Sequence, residues 1–351
     1  MAGLILVANA GSSSLKLSVV RNDDTTTPVD SLEDAPYGVR AVAHRIVHGG
    51  DRFREPVVID DAVRDELVAL GDLAPLHNRL EVGVLDEARR LLPEVPHVAV
   101  FDTAFHAAIP EEAAAYAVPR RWREEWGIRR YGFHGLSVQW SAGQVPAPRL
   151  IVCHLGAGCS VTAVEDGRSV DTTMGFSPLD GVPMATRAGA VDPAIPLYLL
   201  RTGRLDVGEI EHALERESGL LGLSGSSGRV EVLERSADPA ARLALAVFVH
   251  RVSCAVAAMA AALRGLDALV FTGGVGERSA PVRSGICDRL GFLGVELDER
   301  ANEQAEPDAE IHAGRVRVVV VRAREDVVAA REARRALAAK MTQTSSSTAV
   351  S

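Results

Sequence analysis

The sequence predicts an α/β fold built from two related halves. Short apolar runs rich in valine and isoleucine alternate with longer helix-like segments along the chain, and this alternation is typical of the class. Two stretches also share one plan of strand, small polar turn and second strand: LILVANAGSSSLKLSVV and RLIVCHLGAGCSVTAVE. We therefore expect the two halves to face each other across a cleft.

Eight apolar runs are candidate strands and five longer segments are candidate helices. The strands are predicted over 4–8, 15–20, 39–47, 97–102, 149–156, 160–165, 267–272 and 315–321. The helices are predicted over 80–92, 206–218, 238–265, 280–294 and 324–339. The longest helix opens with Asp238 and Pro239, a cap followed by proline at the first helical position, and ends near Gly265.

Length, composition and charge indicate a soluble globular protein of two domains. The chain has 351 residues, of which 47% are hydrophobic and 24% charged, and this length exceeds that of one ordinary domain. The net charge of −9 argues against a nucleic-acid binder. An anionic ligand would therefore depend on a few well-placed cations.

The sequence predicts neither a targeting segment nor a membrane span. The first residues, MAGLILVANAG, lack a basic region, and the alanine-rich stretch 239–263 carries Arg242, His250 and Arg251, which favours a buried helix. The four cysteines show no metal-ligand spacing, so we expect reduced structural thiols in a cytoplasmic protein. The tail 341–351 is expected to be disordered.

The turn NAGSSSLK (9–16) could bind phosphate. Ser12, Ser14 and the backbone N–H groups of small residues are donors, Lys16 adds a positive charge, and Asn9 offers an amide oxygen. It is not a P-loop, because GxxxxGK[ST] is absent and a strand follows. Taken alone, the segment is slightly better explained as an ordinary hairpin turn.

Two more turns of small residues follow apolar strands. HLGAGCS (154–160) and FTGGVGERS (271–279) both contain glycines that allow close backbone approach to a ligand, and the second opens a predicted helix. One glycine cluster is a weak signal. Three such turns in one chain favour a nucleotide-phosphate site.

Several charged residues lie beside apolar segments. Arg45, inside a predicted strand, is equally compatible with a surface ion pair and with a guanidinium that binds carboxylate or phosphoryl groups. Asp102 lies at the carboxyl end of a strand, where α/β sites tend to form. His134 would more often be a packed core residue than a catalyst. The long loop that ends just past Arg187 is a candidate wall of an active site.

Together these segments resemble the acetate kinase family, within the acetate and sugar kinase/actin superfamily. The resemblance runs from residue 4 to about 335 and rests on NAGSSSLK, HRIVHGG, APLHN, FDTAFH, YGFHG, HLGAG, MGFSPLDG followed by TR, and FTGGVGE. It implies a two-domain actin-like (ribonuclease H-like) ATPase fold with a duplicated mixed-sheet core. It also implies reversible phosphoryl transfer from ATP to acetate that depends on Mg²⁺, with Mn²⁺ as an alternative metal. It further implies a cytoplasmic homodimer that binds neither nucleic acid nor membrane.

The resemblance assigns roles residue by residue. It implies metal binding by Asn9 and Glu325, a catalytic carboxylate at Asp102, and transition-state stabilisation by His134. Arg45 and Arg187 would clamp the substrate and the transferring group. The implied acyl-pocket residues are Arg45, Val47, Leu76, Phe133 and Pro178. The implied nucleotide contacts are Ser12, Ser14, Lys16, His154, Leu155, Gly156, Ala157, Gly158, Gly274, Val275, Gly276, Glu277 and Arg278.

The sequence also departs from the family pattern. Ala157 replaces the usual asparagine of HLGNG, APLHN continues as RLE, and Asp326 replaces the usual neighbour of Glu325. In the adenosine-side stretch 222–234 the usual aspartate and arginine are missing. They align with Arg229 and Glu231, or, with a one-residue deletion, with Gly228 and Val230. The changed stretch leaves open an altered nucleoside preference or a weak affinity for ATP.

Two alternatives to an acetate kinase remain open on the sequence alone. Val47 leaves less room than the alanine expected in propionate-preferring relatives, which favours acetate, but a propionate or butyrate kinase stays possible. A nucleotide-binding, non-catalytic member of the fold would not need both arginines, Asp102 and His134. The first domain is expected over 1–106 and about 328–340, and the second over 107–327.

Overall fold

The computed structural model describes residues 3–10, 15–72 and 78–348. The chain folds into two compact units, each assembled from segments that are separate in sequence. Unit 1 is Met1–Ala107, Phe133–Trp140 and Arg324–Ser351, and unit 2 is Ala108–Gly132 and Ser141–Ala323.

The division differs from the expected domain limits at three places. Residues 107, 133–140 and 324–327, which were expected in the second domain, belong to unit 1. The physical reason is packing, because Leu136 and Val327 lie in the same buried apolar cluster of unit 1.

Unit 1 contains a six-stranded mixed sheet in the order β3-β2-β1-β4-β6-β5. The first three strands along the chain form an antiparallel meander, and β4 and β6 add in parallel beside β1. The short edge strand β5 pairs antiparallel with β6. The strands are β1 (Leu4–Ala10), β2 (Leu15–Val20), β3 (Thr26–Val29), β4 (Val39–Ile46), β5 (Val57–Val58) and β6 (His97–Phe101).

Unit 2 repeats this arrangement in the order β11-β12-β10-β7-β8-β9. Strands β7, β8 and β9 form the meander, β10 and β12 add in parallel beside β7, and β11 is the antiparallel edge. The α/β class and the two related halves are therefore confirmed. The strands are β7 (Arg149–Leu155), β8 (Cys159–Glu165), β9 (Arg168–Thr172), β10 (Ala268–Thr272), β11 (Ala309–Glu310) and β12 (Arg317–Val320).

Helices connect and cover the two sheets. In chain order they are α1 (Asp61–Ala69), α2 (Asn78–Leu91), α3 (Glu111–Ala114), α4 (Arg120–Trp126), α5 (Gly135–Gln144), α6 (Ala194–Arg201), α7 (Val207–His212), α8 (Gly219–Ser224), α9 (Val230–Glu234), α10 (Pro239–Ala262), α11 (Gly273–Arg278), α12 (Ala280–Asp288), α13 (Glu299–Glu303) and α14 (Glu325–Thr348). Helix α14 extends past residue 340, where a disordered tail was expected, and 349–351 lie outside the described residues.

The core of unit 1 forms where α14 packs on the sheet. Ile5 and Val7 of β1, Val98 and Val100 of β6, and Ala330 of α14 belong to one cluster of buried side chains. Alternate residues of a strand point to the same face of a sheet. The apolar residues on that face of β1 and β6 pack against the apolar stripe of α14. Burial of each such side chain contributes roughly 1.5–3 kcal/mol.

Helix α10 is the core helix of unit 2. Among the described residues it alone is long and apolar enough to cross a membrane by composition, which is weak evidence by itself. Its buried side chains recur every three or four residues, as expected for a helix with one face in a protein core. They are Ala241, Ala244, Phe248, Val252, Ser253, Val256, Met259 and Ala260.

The glycine-rich segment after β10 differs from the prediction. It was expected to be a turn that leads into a helix over 280–294, but the glycines themselves form α11. A proline at the start of α12 and Gly291 beyond its end confine that second helix to Ala280–Asp288. The four cysteines are free thiols, as expected.

Candidate active site

Unit 1 brings three polar side chains to the carboxyl ends of adjacent parallel strands. Asn9 on β1 lies beside Arg45 on β4, and Asp102 directly follows β6. Because β1, β4 and β6 run in parallel, the ends of their apolar runs meet at one edge of the sheet. This is the edge at which α/β folds place their sites.

A two-point ion pair lies at the centre of this cluster. Arg45 donates from Nε to Asp102 Oδ1 at 3.0 Å and from Nη2 to Asp102 Oδ2 at 2.5 Å. Its Nη1 donates to Asn9 Oδ1 at 2.9 Å, and Asn9 Nδ2 donates to Glu325 Oε2 at 3.3 Å. One hydrogen-bonded chain therefore links four of the residues predicted from the sequence.

The cluster is acidic and largely closed to water. The side chain of Arg45 is 13% exposed and that of Asp102 only 1%. Burial acts to lower the pKa of Arg45, but attraction by Asp102 and Glu325 outweighs it and raises that pKa. Arg45 is therefore a permanent cation whose position is fixed by carboxylates on several sides.

The backbone of Asp102 is also fixed. Its N–H donates to Ile46 O at 3.0 Å, and its carbonyl oxygen accepts from Gly135 N at 3.0 Å. A Cβ atom on Gly135 would overlap that carbonyl oxygen. Glycine is therefore required where the YGFHG segment approaches the carboxyl end of β6.

His134 has an unusual backbone conformation next to this contact. Its φ is +59°, a left-handed value that is uncommon for a residue with a side chain. The preceding carbonyl, Phe133 O, lies 2.9 Å from Nε2 of the fully buried His106. Burial lowers the pKa of His106 to about 4 despite this hydrogen bond, so the ring is neutral and donates to Phe133 O.

Two of the side chains predicted for the acyl pocket, Val47 and Phe133, are buried and apolar. Val47 is 5% exposed and Phe133 is 1% exposed. The Phe133 ring meets the His48 ring edge-on at 5.4 Å between centroids. Behind this wall, Glu81 Oε2 accepts a hydrogen bond from Val47 N at 3.0 Å.

Two residues that touch the site in unit 1 were not predicted. Neither the acid Glu81 nor the neutral His106 was singled out as a site residue, because burial of one polar side chain is not visible in a sequence. The signals available were the RLE that follows APLHN and the last residue of FDTAFH.

One predicted nucleotide-binding side chain is exposed to solvent, and three other predicted site residues lie outside the described residues. Lys16 is exposed on β2 opposite Asn9. Ser12, Ser14 and Leu76 lie outside the described residues.

Asn9 and Glu325 offer oxygen donors that suit a magnesium ion carried by a nucleotide. Within the described ranges, no three His, Cys, Asp or Glu side chains converge as a metal site. Mg²⁺ commonly binds through one or two protein oxygens, with water and substrate phosphates as the other ligands. The donor set therefore fits Mg²⁺ bound together with phosphate.

Unit 2 brings two of the predicted phosphate-binding turns together. His154 on β7 lies opposite Thr272 on β10, so the β7–β8 turn adjoins the start of α11. A Cβ atom on Gly273 would lie 2.8 Å from Leu155 O and 3.2 Å from His154 Nε2. The positive φ of Gly273, +77°, and this close approach explain the glycine.

The predicted nucleotide residues of unit 2 differ in what they can offer. Ala157 is exposed at the tip of the β7–β8 turn, and Gly156 N donates to Gly158 O at 3.0 Å. The Leu155 side chain is fully buried, so this residue can present only its backbone. In α11, Arg278 is exposed, Gly276 is buried, and Gly274, Val275 and Glu277 are intermediate.

A buried arginine that was not predicted fixes α11. Arg283 is 1% exposed, and its Nη1 donates to Gly276 O and Glu277 O, each at 3.0 Å. Its Nε and Nη2 donate to Oδ1 and O of Asn302 at 2.8 and 2.7 Å. These hydrogen bonds of the guanidinium satisfy protein groups, so its role is to hold the helix.

The loop 174–189 positions Arg187. The Arg187 Nη1 atom lies 3.4 Å from Pro178 O, and Met184 N donates to Arg187 O at 3.1 Å. Burial lowers the pKa of Arg187, opposed by the nearby Glu215. Since a guanidinium stays protonated in proteins, Arg187 is a half-buried cation beside the buried Pro178.

The stretch 222–234 lacks the aspartate and arginine of the family pattern under either alignment, and one of the two alignments places them at confined positions. A Cβ atom on Gly228 would lie 2.5 Å from Ala185 O, and Val230 is buried. Arg229 is exposed and pairs with its neighbour Glu231. By either alignment, these positions present no aspartate–arginine pair to a nucleoside.

Comparison with known proteins identifies a family that matches most of the chain. The family model described as the acetokinase family matches residues 29–331. The chain is 46% identical to the acetate kinase of Deinococcus deserti over 86% of this chain and 79% of that protein. It is 44% identical to the acetate kinase of Nostoc punctiforme over 87% of this chain and 77% of that protein.

Solved structures of similar proteins share the fold. A propionate kinase from Francisella tularensis superposes with a TM-score of 0.87 at 34% identity, covering 94% of this chain and 98% of that one. The acetate kinase of Porphyromonas gingivalis superposes with a TM-score of 0.84 at 30% identity, covering 96% of this chain and all of that one. The predicted two-domain actin-like fold is therefore confirmed.

Proposed function

The chain belongs to the acetokinase family, and we propose that it transfers the γ-phosphoryl group of ATP reversibly to acetate, giving acetyl phosphate and ADP. The observation that carries the proposal is the two-point Arg45–Asp102 pair, joined to Asn9 and Glu325 at the carboxyl edge of the first sheet. Phosphoryl transfer asks a protein mainly to position the reactants and to neutralise their charge, and this cluster is suited to both tasks.

Arg45 would bind the carboxylate acceptor and the transferring group. The two reactants repel each other because both are anions, so a fixed cation between them lowers the barrier. Asp102 holds the guanidinium plane by accepting two hydrogen bonds from it. Acetate is already ionised near neutral pH and needs no general base, so Asp102 acts through position and charge.

Asn9 and Glu325 would hold Mg²⁺ through their side-chain oxygens. The ion supplies neutralisation of phosphate charge when it is bound with the nucleotide. The amide of Asn9 already bridges Arg45 and Glu325, so it orients the cation and the acid relative to each other.

In unit 2, we assign the nucleotide phosphates to the β7–β8 turn and α11. The backbone N–H groups of small residues in the two adjoining turns can approach phosphate closely, which supports this assignment. Arg187 would serve as the second clamp on the transferring phosphoryl group. His134 in unit 1 would donate a hydrogen bond to that group. The missing aspartate and arginine near residue 228 lead us to expect weak selection among nucleobases.

A propionate kinase is the second candidate, because one of the solved structures similar to this chain is described as a propionate kinase. An acyl-hydroxamate assay with Mg-ATP, comparing kcat/KM for acetate, propionate and butyrate, distinguishes the two. We expect turnover that favours acetate. A preference for a longer acid would replace acetate with that acid, and nucleotide binding without any turnover would identify a non-catalytic member of the family.

We further propose that the protein is a homodimer through the face of unit 2 that carries α6. None of the residues of this helix is buried. Large apolar side chains exposed along 191–207 support this surface, since so dense a run is unusual on a monomer. They are Val191, Ile195, Leu197, Tyr198, Leu200 and Val207.

Light scattering tests the dimer. Leu197→Glu is expected to convert it to a monomer, because a carboxylate would be buried in the interface. Val68→Glu, at an apolar residue exposed on α1, should leave the mass unchanged. A monomeric parent protein would contradict the assignment.

We also propose that the protein is located in the cytoplasm. ATP as co-substrate and the free cysteines support this location.

A further inference from the structure

Glu81 is a buried carboxyl group that the proposed reaction does not use. It lies in the first turn of α2 and is 2% exposed. Its Oε2 accepts a hydrogen bond from Val47 N at 3.0 Å, and its Oε1 has no hydrogen-bond partner among the described residues. An acid with one unpartnered oxygen is costly to bury in the ionised form.

Among the described residues, the charges that face Glu81 come from the ends of two strands of the first sheet. Arg45, near the end of β4, attracts it, and Asp102, which follows β6, repels it. The hydrogen bonds that the structure gives for the Arg45 guanidinium go to Asp102 and Asn9, and none of these goes to Glu81. Burial therefore dominates and raises the pKa of Glu81 to about 8.

We propose that Glu81 is a positioning residue that admits the anionic acceptor only while it is a neutral acid. This inference rests on the proposed function and names a further control on its acceptor site. As a neutral acid, Glu81 anchors the Val47 backbone that forms part of the acyl wall, and it leaves the charge of Arg45 to the incoming carboxylate. As a carboxylate, it would be a second buried anion facing the same guanidinium.

The physical argument concerns the balance of charge around Arg45. Asp102 and Glu325 already attract this one cation, and the acceptor brings another negative charge. A further carboxylate that faces the same cation, in a place where water cannot screen it, repels the acceptor. The effect should appear in KM for acetate, because it concerns binding of the anion.

The experiment compares the pH dependence of KM for acetate in three proteins. They are the wild type, Glu81→Gln and the control Glu87→Gln, which changes an exposed acid on the same helix. In the wild type and in Glu87→Gln, KM should rise about tenfold between pH 7 and pH 9, as expected when one ionisation blocks binding. In Glu81→Gln the rise should vanish, because the amide does not titrate.

The possible outcomes separate this inference from the proposed function. Turnover by Glu81→Gln with the same alkaline rise as the wild type would overturn the role of Glu81 and leave the reaction standing. No phosphorylation of any carboxylate by any of the three would overturn the proposed function itself. Glu81→Asn is a second neutral variant, used with a melting curve, in case the glutamine does not fold.

Discussion

Arg45 and Asp102 meet as two parallel hydrogen bonds, from Nε to Oδ1 at 3.0 Å and from Nη2 to Oδ2 at 2.5 Å. The same two-point geometry joins Arg52 and Glu66 on the surface, at 2.7 and 3.0 Å. The first pair is buried and the second is exposed. The exposed Arg52–Glu66 pair is therefore a control that shows what burial adds to the Arg45–Asp102 pair.

Arg45→Lys should lower kcat/KM for acetate by roughly 10³-fold or more, the size typical of a phosphoryl-clamping arginine. A lysine ammonium cannot make the two-point contact, so both Asp102 and the acceptor lose their alignment. Steady-state kinetics with the hydroxamate assay measures this loss, and nucleotide binding in unit 2 should persist.

Arg52→Lys is the matched control for that change. It breaks an exposed pair of the same geometry, which water and salt screen, and should leave kcat/KM within about twofold. Full activity in Arg45→Lys would refute the assignment of Arg45 as a clamp.

Val47→Ala should move the acid preference towards propionate. The side chain is 5% exposed, and removing its two methyl groups opens space in the acyl wall that an added methylene can occupy. One methylene is worth about 1–3 kcal/mol in such a pocket, so the propionate-to-acetate ratio of kcat/KM should rise by roughly 10-fold or more. Val82→Ala, at a buried position of α2, should lower stability without moving this ratio. An unchanged ratio in Val47→Ala would remove Val47 from the pocket.

Gly135→Ala should destabilise unit 1 and lower activity together. The new Cβ would overlap Asp102 O, so either the carboxylate or the adjoining His134 must move. Gly143→Ala, at the other end of α5, meets nothing within 4 Å and should raise stability by about 0.5–1 kcal/mol. Thermal melts of the two variants should shift Tm in opposite directions, and equal shifts would contradict the close approach at Gly135.

The parts of the fold that the sequence predicted are those with a clear apolar period. All eight candidate strands form, because runs such as HVAVF at 97–101 are buried on both faces. The strands that were missed are β3, β5, β9 and β11. They are short edge or outer strands, and β3, with the sequence TTPV, carries threonines and a proline in place of an apolar run.

Helix α6 was missed for a different reason. Its sequence AIPLYLLR has a proline near the start and apolar residues on every side, so it shows no helical period. A helix that presents apolar residues to solvent is not specified by the core of its own unit.

The site also contains residues that the sequence predicted and residues that it did not predict. Arg45, Asp102, Asn9 and Glu325 were predicted because each belongs to a motif, and the structure joins them in one network. Glu81, His106 and Arg283 were not singled out, although each is buried and bonded to the backbone of a predicted segment. Their roles arise from packing between segments distant in sequence, which has no local signature.

Acid should destabilise unit 1 through its buried neutral histidines. Burial lowers the pKa of His106 to about 4 and that of His44 to about 3, and it also lowers the pKa of His97, whose Nδ1 lies 2.9 Å from His44 Nε2. Below the ordinary value of 6.5 the unfolded chain takes up protons that the folded protein excludes. The free energy of unfolding therefore falls as pH drops from about 6.5 towards 4, by up to about 1.4 kcal/mol per pH unit for each of His106 and His44.

His106→Gln isolates one of these contributions. The glutamine amide can still donate to Phe133 O but does not titrate, so the variant should lose less stability than the wild type between pH 7 and pH 5. The expected difference is about 2 kcal/mol at pH 5, or several degrees in Tm. His250→Gln, at an exposed histidine of α10, should follow the wild-type curve. Identical acid slopes in His106→Gln and the wild type would show that His106 is not held neutral by burial.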